Sequence, residues 1–295
     1  MVGEVLDYLK LDAPLERRKK YIDATVSTGG YSLEILKKGG EVLGIDFDPE
    51  ILEVAKKRLE ACPTPDNDIG GRFQLTQGNF KDIKKIALEN GFKSVNGIVY
   101  DLGVSNLQLT STTRGFSFAE ENAPLDMRIN KSDLSVKASD LLNGLREDQL
   151  EKLFQETLEF HNARRLAKLV IKTREEKPFY SVGDFLLVTK KVFNKKGRLH
   201  PATKAFLALR IAVNSELENV KESLPQAISL LGRGGRLVVV SFHSGEDAIV
   251  KNMFKKAEAE RKVKIITKKP IFPTEEEIEK NAKSRSARLR AIEKI

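Results

Sequence analysis

Asp23-Ala24-Thr25-Val26-Ser27-Thr28-Gly29-Gly30-Tyr31-Ser32 closes one apolar segment and opens an amphipathic one. Tyr21–Thr25 reads as a strand, and Tyr31–Lys38 reads as a helix that Gly39-Gly40 stops. Working outward, Glu41–Asp46 is a second strand, and Pro49 starts a helix running to about Ala61. Phe73–Gln77 is a third strand, Lys81–Asn90 a helix ended by Gly91, and Gly97–Leu102 a fourth strand. Alternation of this kind belongs to βαβ units and a parallel sheet.

The rhythm changes after Gln108. From there to Gly197 helical periodicity dominates, with Leu166, Leu169, Val170 and Thr173 on one face and Arg165, Lys168 and Lys172 on another. A long helix is expected after His200, carrying Phe206, Leu209, Val213, Leu217 and Val220 as one stripe. Gly234-Gly235-Arg236 then leads into a strand at Leu237–Phe242, a return to the same sheet. A helix near Asp247–Ala259, a strand at Val263–Thr267 and an alternating segment Ala287–Ala291 complete the chain. The expected fold class is α/β, one doubly wound sheet interrupted by a mostly helical insertion. Its parts are residues 1–108, an insertion at 109–199, and 200–295.

Composition sets outer bounds. Of 295 residues 40% are hydrophobic and 32% charged, which fits a globular chain and excludes a disordered one. Apolar runs are too short to span a bilayer. No basic n-region precedes an apolar h-region at the N-terminus, and the single cysteine, Cys62, excludes an internal disulfide framework. A cytoplasmic protein with no membrane partner is expected. With 51 Lys+Arg against 42 Asp+Glu, the formal charge of +9 is compatible with a polyanionic partner. Three histidines and one cysteine show no ligand-like spacing, so no metal is expected.

In doubly wound sheets ligands sit at the carboxyl ends of strands, near the reversal of strand order. Gly29 and Gly30 allow close backbone approach at a helix start. The absence of G-x-G-x-x-G argues against a dinucleotide, and the turn suits the carboxylate of S-adenosylmethionine. Asp46 ends the second strand, where an acidic residue about 20 positions after the glycines accepts from ribose hydroxyls. Asp48, ahead of Pro49, reads as an N-cap. Phe80 is placed to lie against an adenine ring, and Asp101 offers another carboxylate at the ligand edge.

Three blocks now become specific: Asp101–Ser105, Arg114-Gly115-Phe116-Ser117-Phe118 and Pro124-Leu125-Asp126-Met127-Arg128. With His200-Pro201-Ala202-Thr203-Lys204, Leu209–Leu217, Gly234–Leu237, Ser241-Phe242-His243-Ser244 and Ser284–Arg290, they closely resemble the RsmH (MraW) family. That family methylates the exocyclic N4 of a cytidine in the decoding region of 16S ribosomal RNA. The resemblance implies a class I methyltransferase-like (Rossmann-like) sheet with an inserted helical domain. It also implies S-adenosyl-L-methionine as cofactor, and small-subunit ribosomal RNA as partner within an assembled or nearly assembled 30S subunit. Cofactor contacts are implied at Gly29, Gly30, Tyr31, Asp46, Phe80, Asp101 and Gln108. Tyr31 stands where many members carry histidine, and Gly245 where they carry a bulky apolar residue. The chain opens on Met1-Val2-Gly3-Glu4 without the family's His-and-Pro-containing lead.

For the chemistry, Asp101 and His243 are the candidates at the catalytic edge, and His200 reads as a cap or phosphate contact. For RNA, Arg114, Arg128, Lys204, Arg210, Arg285, Arg288 and Arg290 are the expected contacts, the last two on one strand face opposite Leu289. The alternatives are a DNA amino-methyltransferase and a non-catalytic assembly factor that binds RNA. A nicotinamide dehydrogenase lacks its glycine fingerprint.

Overall fold

The computed structural model describes residues 1–11, 19–62, 72–193 and 200–295. Seven strands form one sheet: β1 (Lys20–Asp23), β2 (Glu41–Asp46), β3 (Phe73–Gln77), β4 (Val95–Asp101), β5 (Leu231–Ser241), β6 (Val263–Ile265) and β7 (Arg288–Lys294). Their order is β3-β2-β1-β4-β5-β7-β6. The first five run parallel, while β7 is antiparallel to both its neighbours. From β1 the chain winds outward through β2 and β3, then returns to lay β4 on the other side of β1. The switch point therefore lies between β1 and β4.

Both faces of the sheet's centre are covered, which explains why β1, β2, β4 and the end of β5 read as nearly unbroken apolar runs. Ile22, Leu43, Ile98, Leu237 and Val239 share one core with helices α4 (Ile83–Glu89), α11 (Glu216–Leu230) and α12 (Ser244–Ala259). Their neighbours in sequence, Tyr21, Val42, Val99, Val238 and Val240, face the opposite core with α1 (Val2–Tyr8) and α2 (Gly30–Lys37). Between β2 and β3 lies α3 (Pro49–Glu60), capped by Asp48, whose side chain accepts from the Glu50 amide. That capping agrees with the sequence reading.

Contacts divide the chain into two compact units, residues 1–103 with 217–295, and residues 104–216. The second unit holds α5 (Asn106–Thr110), α6 (Ala138–Gly144), α7 (Glu147–Gln155), α8 (Phe160–Glu176), α9 (Val182–Val192) and α10 (Thr203–Asn214). Its core joins Phe116, Leu125, Phe154, Leu166, Phe185, Phe206 and Leu209. Residues 200–216 thus lie with the helical insertion, whereas sequence reading returned the chain to the sheet at 200. The expected single helix is also two. Ser215 takes a left-handed conformation, φ 51°, and ends α10 before α11 begins. Phe206, Leu209 and Val213 then serve the second unit's core, and Val220 the first unit's.

Within the second unit, two of the family-like blocks pack on each other. The Met127 amide donates to the Arg114 carbonyl at 2.8 Å, and Asn214 accepts from the Ile129 amide and donates to the Met127 carbonyl. Gly115 sits at φ +73°, where a Cβ would fall 2.3 Å from the Pro124 carbonyl oxygen. Gly115→Ala is therefore expected to cost about 3 kcal/mol, from left-handed strain plus a backbone clash. Urea unfolding measures this, and a loss below about 0.5 kcal/mol would contradict the packing described.

Candidate functional site

Three aspartates end three adjacent parallel strands of the first unit: Asp23 on β1, Asp46 on β2 and Asp101 on β4. Asp23 is fully buried. One of its oxygens accepts from the Ser32 hydroxyl at 2.7 Å, while Oδ1 has no hydrogen-bond partner among the described residues. Burial lifts its carboxyl to about 6 against the opposing pull of Ser32. Asp101 also carries a buried Oδ1 without a hydrogen-bond partner, and its amide donates to Thr25 Oγ1 at 2.7 Å. Burial, reinforced by the Asp23 charge, lifts it to about 7. Asp46 is better provided, because its two oxygens accept from the Ser27 and Asp48 amides at 2.9 and 3.0 Å. Burial still raises it to about 6.

The glycine turn lies beside this cluster. Gly29 caps α2 at φ 80°, the left-handed region a side chain resists, and Gly30 opens the helix with nothing within 4 Å of where a Cβ would stand. Burial and the charges of Asp101 and Asp23 push the Tyr31 phenol above its ordinary range. Phe80 sets its ring edge-on to Tyr100, centroids 5.6 Å apart. The donor set fits S-adenosylmethionine. Two dry carboxylate oxygens without partners suit a cationic ligand, and an amide-oriented carboxylate keeps lone pairs for hydroxyl donors. Gly29, Gly30, Tyr31, Asp46, Phe80 and Asp101 would hold it.

Other sequence candidates are placed differently. Gln108 belongs to the second unit, where its side chain accepts from the Ser105 amide at 2.8 Å in a capping box around α5. His243 is the N-cap of α12, its Nδ1 3.5 Å from the Glu246 amide. Its Nε2 lies 3.1 Å from Glu246 Oε1, within ion-pair distance but out of line for a hydrogen bond. Held this way, the imidazole orients a helix start. His200 likewise accepts from the Ala202 amide through Nδ1 and stacks on Phe118 at 4.4 Å.

Most of the expected RNA-contacting arginines face partners inside the chain. Arg128 forms a bidentate pair with Asp126 at 2.7 and 3.0 Å, Arg210 one with Glu216 at 2.8 Å, and Arg290 one with Asp247 at 2.6 and 3.1 Å. Burial opposes ionisation of Asp126, yet Arg128 holds its carboxyl below the usual range. Arg114 is buried, at 8% exposure. Lys204 and Arg285 are exposed, and Arg288 is half-buried, 3.9 Å from Asp247. On α8, Arg164, Arg165, Lys168 and Lys172 are exposed. Sequence reading missed Asp23 as a site residue. The Asp23–Ser32 bond spans nine residues, and only the turn of α2 against β1 reveals it.

A family model described as the MraW methylase family matches residues 1–295. The ribosomal RNA small subunit methyltransferase H of Persephonella marina is 41% identical over 298 residues, covering 99% of this chain and 97% of that protein. The protein of that name from Carboxydothermus hydrogenoformans is 38% identical over 313 residues, covering 100% and 96%. Among solved structures, an rRNA methylase from Streptococcus thermophilus is similar at TM-score 0.47 and 10% identity, covering 100% of this chain and 96% of that one.

Two substitutions test these assignments. A carboxyl raised on folding from 3.8 to about 7 favours the fold below its unfolded pKa, and that advantage disappears as pH rises through 7. Asp101→Asn should therefore stabilise the ligand-free protein by about 2–4 kcal/mol at pH 8 and not at pH 4, read from urea midpoints. A variant no more stable than wild type at pH 8 would mean that Asp101 is well solvated. His243→Asn, which keeps a capping side chain, should retain wild-type stability, whereas His243→Ala loses about 1 kcal/mol. Equal stability of the two variants would remove the capping role.

Proposed function

The chain belongs to the MraW methylase family, and from that premise we propose that it uses S-adenosylmethionine to methylate the exocyclic N4 of a cytidine in the decoding region of 16S ribosomal RNA. The acceptor in this reading is an assembled or nearly assembled 30S subunit in the cytoplasm. End-to-end similarity to relatives named ribosomal RNA small subunit methyltransferase H supports the substrate class. The observation that carries the methyl-transfer reading is the trio of carboxylates at the strand ends, Asp23 buried and Asp46 and Asp101 half-buried, all three raised above their ordinary range. Such a cluster suits a cofactor that is cationic at both sulfonium and α-ammonium.

Bound there, the cofactor supplies an electrophilic methyl group. The chain's residues have three tasks. Gly29 and the first amides of α2 let backbone approach the amino-acid carboxylate, Asp46 accepts from ribose hydroxyls, and Phe80 lies along the adenine. A cytosine amino group is a weak nucleophile because its lone pair is delocalised into the ring. Holding it in line is therefore the dominant contribution. As N4 gains the methyl carbon it must lose a proton. Asp101, with a carboxyl near 7 and a buried oxygen without a partner, accepts it.

In this reading the unit at 104–216 recognises RNA. Arg165, Lys168 and Lys172 on α8, with Lys204, Arg285 and Arg288, contact phosphates, and these contacts make binding salt-dependent. Arg114, Arg128, Arg210 and Arg290 organise the protein instead. The target base must leave its stack, which favours an irregular or single-stranded RNA site.

The deciding experiment transfers a labelled methyl group to 30S subunits from a strain lacking this activity, followed by nucleoside mass spectrometry. N4-methylated cytidine is the expected product. Absence of label, with S-adenosylmethionine still bound, would point to another nucleic acid or to a binding role without catalysis.

A further inference from the structure

Asp23 and Asp101 each bury an oxygen that nothing among the described residues satisfies, and they do so on adjacent strands. β1 pairs with β4 so that Asp23 lies beside Val99, and Asp101 follows two residues later on the same side of the pleat. The Thr25 hydroxyl, just past β1, accepts from the Asp101 amide and ties the two strand ends together. Most charges acting on the pair are themselves acidic. Asp46 acts on Asp23, and Glu246 on Asp101, from β2 and α12. The Tyr31 phenol of α2 faces both. His243 lies against Glu246. The Met1 ammonium, itself 2.8 Å from Glu277, acts on Asp101 in the opposite sense. Direct help to the ionised form of Asp23 comes from the Ser32 hydroxyl and the Thr25 and Ser32 amides. Two carboxylates on neighbouring strands, each with a buried oxygen lacking a donor among the described residues, do not both stay charged.

We propose that in the cofactor-free protein the Asp23–Asp101 pair holds one proton, which S-adenosylmethionine displaces to solvent as its positive charge takes the proton's place. The proposal rests on the cofactor reading above. It adds that the same exchange leaves Asp101 as the bare carboxylate that methyl transfer requires, so the base is made ready by the arrival of the methyl donor. Burial supports the proton's presence, since it lifts Asp23 to about 6 and Asp101 to about 7. The Asp23 charge is one of the causes that raise Asp101, and this couples the two sites.

Calorimetry of the full chain with S-adenosylmethionine, between pH 5.5 and 7 in buffers of different ionisation enthalpy, reads the exchange directly. The expected results are release of about half to one proton near pH 6, and affinity that rises up to about tenfold per pH unit in the acidic part of that range. Asp46 also titrates near 6, so three variants assign the proton. Asp46→Asn should keep the release measured at saturation, Asp101→Asn should lose most of it, and Asp23→Asn, which leaves Asp101 desolvated, should lower it less. Release abolished by Asp46→Asn and kept by Asp101→Asn would overturn the assignment to the pair. Binding without proton release, at constant affinity, would overturn the proposal and leave the cofactor reading standing. No binding by the intact chain would overturn both.

Discussion

Asp23 and Asp101 end neighbouring strands because the chain leaves β1 in one direction across the sheet and returns to lay β4 on its other side. Crossovers from β1 lead away toward β2 and β3, while β4 continues toward β5. The connections diverge at the carboxyl edge, the place where doubly wound sheets take their ligands. Apolar cores cover both faces of the sheet up to those last residues. Carboxylates at this edge are therefore fixed by strand register and partly or fully withdrawn from water. The raised pKa values, the oxygens without partners and the fit to a cationic ligand all descend from that placement.

Much of the first unit was legible because its punctuation is local. β2 and β3 match the reading to the residue, bounded by Gly40, by Asp46-Phe47-Asp48-Pro49 and by Gly78. β5 begins six residues before the expected Leu237, at Leu231. The Gly232–Arg236 stretch carries no apolar alternation, and only its pairing with β4 makes it a strand. Ser215 was illegible for a related reason. A non-glycine residue with positive φ leaves no mark in composition, and the stripe from Phe206 to Val220 keeps helical spacing across the break.

The candidate site was legible where a residue's position is set by its own strand end or turn, and illegible where it depends on a partner from elsewhere. The positions of Gly29, Gly30, Asp46 and Asp101 belong to the first kind. Asp23 belongs to the second, as do the arginines: Arg290 meets Asp247 across 43 residues, a distance no motif encodes. A formal charge of +9 counts such arginines with the exposed lysines of α8 alike. The capping box Ser105-Asn106-Leu107-Gln108 was available in the sequence as S-x-x-Q. Its glutamine is explained by the helix it starts.

The division of the chain at Gly103 and Leu217 also orders events in time. Residues 104–216 are contiguous, so the helical unit has all its core in hand once Glu216 has been synthesised. The sheet unit has by then only β1 to β4. It must keep Tyr100 and Val99 without their β5 neighbours until residue 241 emerges, and β7 waits for the last residues of all. Nascent β4 is thus an exposed strand edge for as long as translation of the insertion lasts, the stage at which a growing chain is most open to aggregation and to chaperones.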